Sequence, residues 1–150
     1  MKIVIQLHWL KSGLNPRRAF KTQAAFELFE DYLSRLSRFT ATKVQGDLER
    51  ESPATSETWI CTPAKQATLW TSEQLAHELA KRQNHGIKGL RIVIGGAEGF
   101  SSKDLQILEP HLKWSFGPLT LPHELAAIVA CEQIYRAFTI LRKLPYHLKH

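Results

Sequence analysis

The run GLRIVIGG, Gly89 to Gly96, is the clearest strand in the chain, and its reading sets the fold. Apart from Arg91, its residues from Leu90 to Ile94 are apolar, the pattern of a strand covered on both faces, as in a parallel sheet. It passes directly into a glycine pair. Upstream, TSEQLAHELAKRQNHG (71–86) reads as a helix capped by Thr71 or Ser72 and stopped by Gly86. Downstream, a short helix opens at Ser101 or Ser102 and must end or bend near Pro110. A strand held between two helices is the unit of an α/β fold.

The same alternation extends in both directions. MKIVIQLHWL (1–10) has the β-branched and aromatic content of a first strand. In LNPRRAF, Asn15 as N-cap and Pro16 at the first helical position predict a helix start. Phe20, Ala24, Leu28, Phe29, Tyr32, Leu33 and Leu36 then recur at helical spacing to about Phe39. TATKV reads as a second strand, and TWICT and LKWSF as further short ones. GDLERESPATSE, broken by Pro53, is a surface loop. The expectation is one domain over residues 1–150, α/β, with a mainly parallel sheet and helices on both faces.

The last helix, ELAAIVACEQIYRAFTILRK, is unusual in cross-section. Glu132, Arg136, Thr139 and Lys143 form one narrow polar line, while Leu125, Ile128, Val129, Ile134, Tyr135, Phe138, Ile140 and Leu141 occupy the rest. Such a helix must be covered on more than one side. A second chain across a two-fold interface and a central place in one chain satisfy that equally.

Composition sets the outer limits. No apolar run approaches the ~20 residues of a bilayer span, and the N-terminus is too short and polar for a signal peptide. No membrane partner is expected, and a cytoplasmic location is. Cys61 and Cys131 stand far apart without metal-ligand spacing, so they read as reduced, buried thiols, and no metal is expected. A formal net charge of +6 and a pI near 9.5 fit a polyanionic partner without demanding one. Arg17, Arg18, Lys81, Arg82, Arg142, Lys143 and Lys149 fall in separate groups, which suits a folded basic face better than a basic arm.

Two loops could hold a ligand, because open parallel sheets bind at the carboxyl ends of their strands. IGGAEGFS places Gly95 and Gly96 where backbone groups can approach a ligand closely. It does not match G-x-G-x-x-G, Glu98 would repel a pyrophosphate, and no P-loop is present. GPLTLPH offers stiff, largely apolar backbone suited to an adenine ring. The chain then ends in RKLPYHLKH, where Pro145 stiffens a run carrying Tyr146 and His147.

IVIGGAEGFS, then WSFGPLTLPHELAAIVACEQIYRAF, then PYH, in this order and spacing, resemble the RlmH family. These are small SPOUT-class methyltransferases with a C-terminal deep trefoil knot. They use S-adenosylmethionine to methylate N3 of a pseudouridine in helix 69 of large-subunit (23S) rRNA. The likeness is dense from about Leu90 to His147. It implies a cofactor held by Cys61 and Thr62, by Gly95 and Gly96, and by the loop Gly117, Pro118, Leu119, Thr120, Leu121 and Pro122. It implies a homodimer packed through the last helix, where Glu132, Tyr135 and Arg136 match the family's E-x-x-Y-R.

Tyr146, His147 and Arg136 become the catalytic candidates, the tail holding or deprotonating the target base. Arg142, Lys143, Lys149 and Lys11 become the RNA contacts. The partners implied are 23S rRNA and the ribosome. Three departures stand out: ICTPAKQATLW replaces the family's Leu-Asp and following Gly-Lys, Leu148 replaces a basic residue after PYH, and the first loop lacks the usual glycine before Lys11.

Overall fold

The computed structural model describes residues 1–47, 56–63 and 67–148. Six strands form one sheet: β1 (Lys2–Leu7), β2 (Thr42–Gln45), β3 (Ser56–Cys61), β4 (Thr68–Leu69), β5 (Gly89–Ile94) and β6 (Leu112–Ser115). Their order is β2-β1-β5-β3-β6-β4, and every neighbouring pair is parallel. Four helices complete the fold: α1 (Gln23–Ser37), α2 (Ser72–Asn84), α3 (Ser102–Leu108) and α4 (His123–Leu141).

All six residues of β5 are buried, Arg91 among them, its Nε donating to the Thr58 hydroxyl at 3.2 Å. Its neighbours divide by alternation. Ile3, Ile5 and Leu7 of β1 and Trp59 and Cys61 of β3 join Leu90, Ile92 and Ile94 in the main core, packed with α1, α2 and α4. Ile60 and Val93 face the opposite way and meet Leu105 and Leu108 of α3. Helices therefore lie on both faces, unevenly: three on one and the two-turn α3 on the other.

The helix expected from Pro16 onward is divided. Asn15 caps only a single 3-10 turn, Pro16–Ala19; the chain is extended at Phe20, and α1 begins after Thr22, whose hydroxyl accepts from the Ala25 N–H. The break lets the Phe20 ring enter the core against Phe26 and Phe29. The stripe shifts too: Ala24 and Leu28 are exposed, and α1 buries Phe29 and Leu36, with Phe26, Tyr32 and Leu33 partly covered. β4 was not expected, being two residues long. Most of the expected loop at 46–57 lies outside the described residues.

α4 lies between α1 and α2 over the sheet. Phe138 stacks on Phe39, Tyr135 meets Tyr32 and Phe39, and Gln133 accepts from Ser72 at the head of α2. Much of its apolar circumference is therefore covered by its own chain. Even Thr139 of the polar line is buried, donating to the Arg136 carbonyl.

Candidate active site

A cavity of about 500 Å³ opens at the carboxyl ends of β3 and β5. Its walls come from three segments: Cys61–Pro63 after β3, Ile94–Ala97 with Gly99 and Phe100 after β5, and Phe116 with Leu119–Pro122 before α4. His123 and Ala126 in the first turn of α4 close it.

Local geometry explains the glycines. The Gly99 N–H donates to the Gly96 carbonyl at 2.9 Å, folding GGAEG into a tight turn, and Gly99 takes φ +72°. A Cβ on Gly95 would meet the Phe100 ring at 3.0 Å, and one on Gly96 would meet the Trp9 Cβ at 3.2 Å. The two glycines thus leave bare backbone between a ring and the wall behind it. Trp9 is fixed by its indole N–H, which donates to the Ala19 carbonyl at 2.8 Å, and it packs edge-on against His123 with ring centroids 4.5 Å apart.

Of the cofactor residues expected from the sequence, Cys61, Thr62, Gly95, Gly96, Leu119, Thr120, Leu121 and Pro122 come together in this cavity. Pro118 does not line it. Gly117, at φ +119°, faces a smaller cavity of about 330 Å³ between β4, β6, α2 and α4, with Trp70, Phe116 and Gln133 in its walls. Phe100, Phe116 and Trp9 are not marked as site residues by the sequence, and His123 reads there as a helix-start residue. The signal available was position: two are aromatics directly flanking the glycine and Leu-Thr-Leu-Pro motifs. Cys61 and Cys131 are buried free thiols, and burial pushes both pKa values well up, so neither is a thiolate near neutral pH. Of the stretch that departs from the family, residues 64–66 lie outside the described residues.

The C-terminal candidates form a separate cluster. Arg136 pairs with Glu132 one turn earlier, its Nη2 2.7 Å from Oε1. The Tyr146 hydroxyl donates to the same Oε1 at 3.0 Å, its ring lying under the Arg136 guanidinium and edge-on to Tyr135. Burial first, then Glu132, pushes the Tyr146 pKa well above that of a free phenol. His147 reaches Arg136 through Nδ1 at 3.0 Å and Glu73 of α2 through Nε2 at 2.7 Å. None of Arg136, Tyr146 and His147 lines the cavity of its own chain. Ten residues of helix separate Ala126 from Arg136, about 15 Å along the axis.

Among the basic residues, Lys11, Arg142 and Lys143 are exposed; the Arg142 guanidinium lies 5.5 Å from the Phe39 ring centre, and Lys143 takes φ +55° after α4. Lys149 lies outside the described residues. Arg82 is no surface cation: it pairs with Glu57 at 2.8 Å and with Glu78, over the Trp59 ring. Arg17 is spent locally on Gln23 and the Phe20 carbonyl. Among the described residues no cluster of His, Cys, Asp and Glu has metal-binding geometry, and no helix is long and apolar enough to cross a membrane.

Comparison with known proteins fits this arrangement. The family model described as "Predicted SPOUT methyltransferase" matches residues 18–147. Ribosomal RNA large subunit methyltransferase H of Magnetococcus marinus is 32% identical, the alignment covering 80% of this chain and 87% of that protein. The protein of the same name from Koribacter versatilis is 34% identical over 87% of this chain and 92% of its own length. A solved structure from Haemophilus influenzae, a probable methylase family protein, shares the fold, with a TM-score of 0.50 and 10% identity over 98% of this chain and 68% of that one. The chain belongs to the SPOUT methyltransferase family and, within it, to the ribosomal RNA large subunit methyltransferase H family.

Proposed function

We propose that this protein is a cytoplasmic homodimeric methyltransferase that uses S-adenosylmethionine to methylate N3 of a pseudouridine in helix 69 of 23S rRNA, on the assembled ribosome. The observation that carries the reading is the cavity, in which the glycine pair and the Leu119–Pro122 loop face each other across about 500 Å³. That volume lies in the usual range of small-molecule sites. The fit to the cofactor is chemical as well. Phe100, Phe116, Leu119 and Leu121 supply apolar walls for a purine, and backbone at Gly95 and Gly96 is bare because a Cβ there would collide with Phe100 or Trp9.

The cofactor supplies an electrophilic sulfonium methyl group, so the chain needs only to align the base and ease loss of the imide proton. The tail, with Tyr146 and His147 on Arg136 and Glu132, is the part suited to hold a nucleotide. Lys11, Arg142 and Lys143, with Lys149, would meet phosphates.

Two further features support the reading. β6 is inserted between β3 and β4 in the sheet, although both precede it in the chain. That insertion is what a deep trefoil knot in the C-terminal half requires. The separation of tail and cavity in one chain suits a homodimer in which a second copy brings the two together.

The test is methyl transfer from labelled S-adenosylmethionine to ribosomes lacking this modification, with mapping of the labelled base. Label at N3 of the helix 69 pseudouridine is expected. Label at another RNA base would change the substrate. Neither transfer nor cofactor binding in calorimetry would leave a non-catalytic RNA-binding protein.

A further inference from the structure

The reading above leaves open what His147 does, and the contacts of its ring restrict the answer. An arginine side chain has donors only. Its 3.0 Å contact with His147 Nδ1 therefore makes Nδ1 the acceptor. The ring proton must then sit on Nε2, where it donates to the Glu73 carboxylate at 2.7 Å. Both nitrogens are engaged, and no lone pair is left for a substrate proton.

Tyr146 is no alternative acceptor. Its hydroxyl donates to Glu132, and burial with that carboxylate keeps it a phenol. The charged groups around the His147 ring are Glu73 from α2 and Arg136 from α4, with Glu132 behind Arg136. Glu73 itself has its pKa lowered, chiefly by the hydrogen bond from His147, so it accepts as a carboxylate. It sits in the first turn of α2, whose start is fixed by a capping box between Thr71 and Gln74 and by the Ser72 to Gln133 hydrogen bond onto α4. Tail, α2 and α4 are thus tied at one point.

We propose that Glu73 is a positioning residue for the C-terminal tail, and that with Arg136 it makes His147 a strut that places Tyr146 and the tail, not the acceptor of the imide proton. The proposal rests on the methyltransferase reading for its kinetic consequences but not for its structural one. Glu73 was not marked by the sequence, because it lies 74 residues from its partner.

The experiment compares the full-length wild type with Glu73→Ala, His147→Ala and His147→Gln. Nitrogen-15 spectra of the histidine ring should show one neutral tautomer, protonated at Nε2, in the wild type, and tautomer exchange in Glu73→Ala. In methyl transfer to ribosomes, Glu73→Ala should lower kcat about tenfold with cofactor affinity unchanged, the scale of one charge-assisted hydrogen bond. Gln can donate to Glu73 and accept from Arg136, so His147→Gln should recover most of what His147→Ala loses. Its kcat should keep the wild-type pH profile.

His147→Gln as inactive as His147→Ala, with the acidic limb of the wild-type profile missing, would make His147 the base and overturn the proposal. A wild-type ring already exchanging between tautomers, unchanged by Glu73→Ala, would overturn it as well. Absence of methyl transfer by the wild type would instead strike the functional reading, and the ring spectra would still decide the strut.

Discussion

Gly95 shows how much a single missing Cβ decides. Its φ is not in the left-handed region, so the demand for glycine there is steric: the Phe100 ring lies 3.0 Å from where a Cβ would be. Gly95→Ala must displace that ring, which is itself a cavity wall, and so reshape the space a ligand would use. Binding of S-adenosylmethionine, followed by calorimetry, should weaken about tenfold, while the melting temperature moves little because Phe100 is only partly buried. Unchanged affinity would place the cofactor elsewhere. The glycine pair itself was readable, since glycines at the end of a buried strand are conspicuous. Phe100 and Trp9 were not read as part of the site, because nothing in the order GGAEGF says which ring folds back on which glycine.

At the scale of elements, the parts that could be read were those whose local signals agree with their packing. The α2 capping box and the apolar run of β5 are of this kind. The helix expected from Asn15-Pro16 stops after one turn because its capping signal is real but local: tertiary burial of Phe20 outweighs continuation of the helix. Arg82 illustrates the same limit, since its register suggests a solvated helix face while its head group reaches Glu57 on β3.

That pair has a pH signature. Burial alone would raise the Glu57 pKa, but hydrogen bonds from Arg82 and Trp59 outweigh it and leave the value lowered. A carboxylate with a depressed folded pKa contributes stability that is complete above its unfolded value and is lost as pH falls through the folded one. Glu57→Gln should therefore cost about 1–2 kcal/mol in urea unfolding at neutral pH. The difference from wild type should shrink as the pH drops below about 4.5, the ordinary value of the unfolded carboxyl, and on through the lower folded one. A constant difference from neutral to acid pH would show that the charge of Glu57 contributes nothing.

For the whole molecule, sequence patterning reached the parallel sheet and the two-faced helix cover, but not where the tail lies. The apolar girth of α4 fitted a central helix and a dimer helix equally, and α1 and α2 account for much of it within one chain. What points beyond one chain is the site: cavity and tail stand about 15 Å apart along α4. A homodimer that joins one protomer's cavity to the other's tail makes a prediction by counting.

Take one variant with a blocked cavity, Gly95→Trp, and a second with a disabled tail, Tyr146→Ala plus His147→Ala. Each homodimer should be inactive. Unfolded together and refolded, they should give mixed dimers in which one site combines the intact cavity of one variant with the intact tail of the other. Random pairing makes about half of all dimers mixed, each with one working site of two, so methyl transfer should return to roughly a quarter of wild type. If cavity and tail came from the same chain, every site in the mixed dimer would carry one defect and activity would stay at the level of the parents.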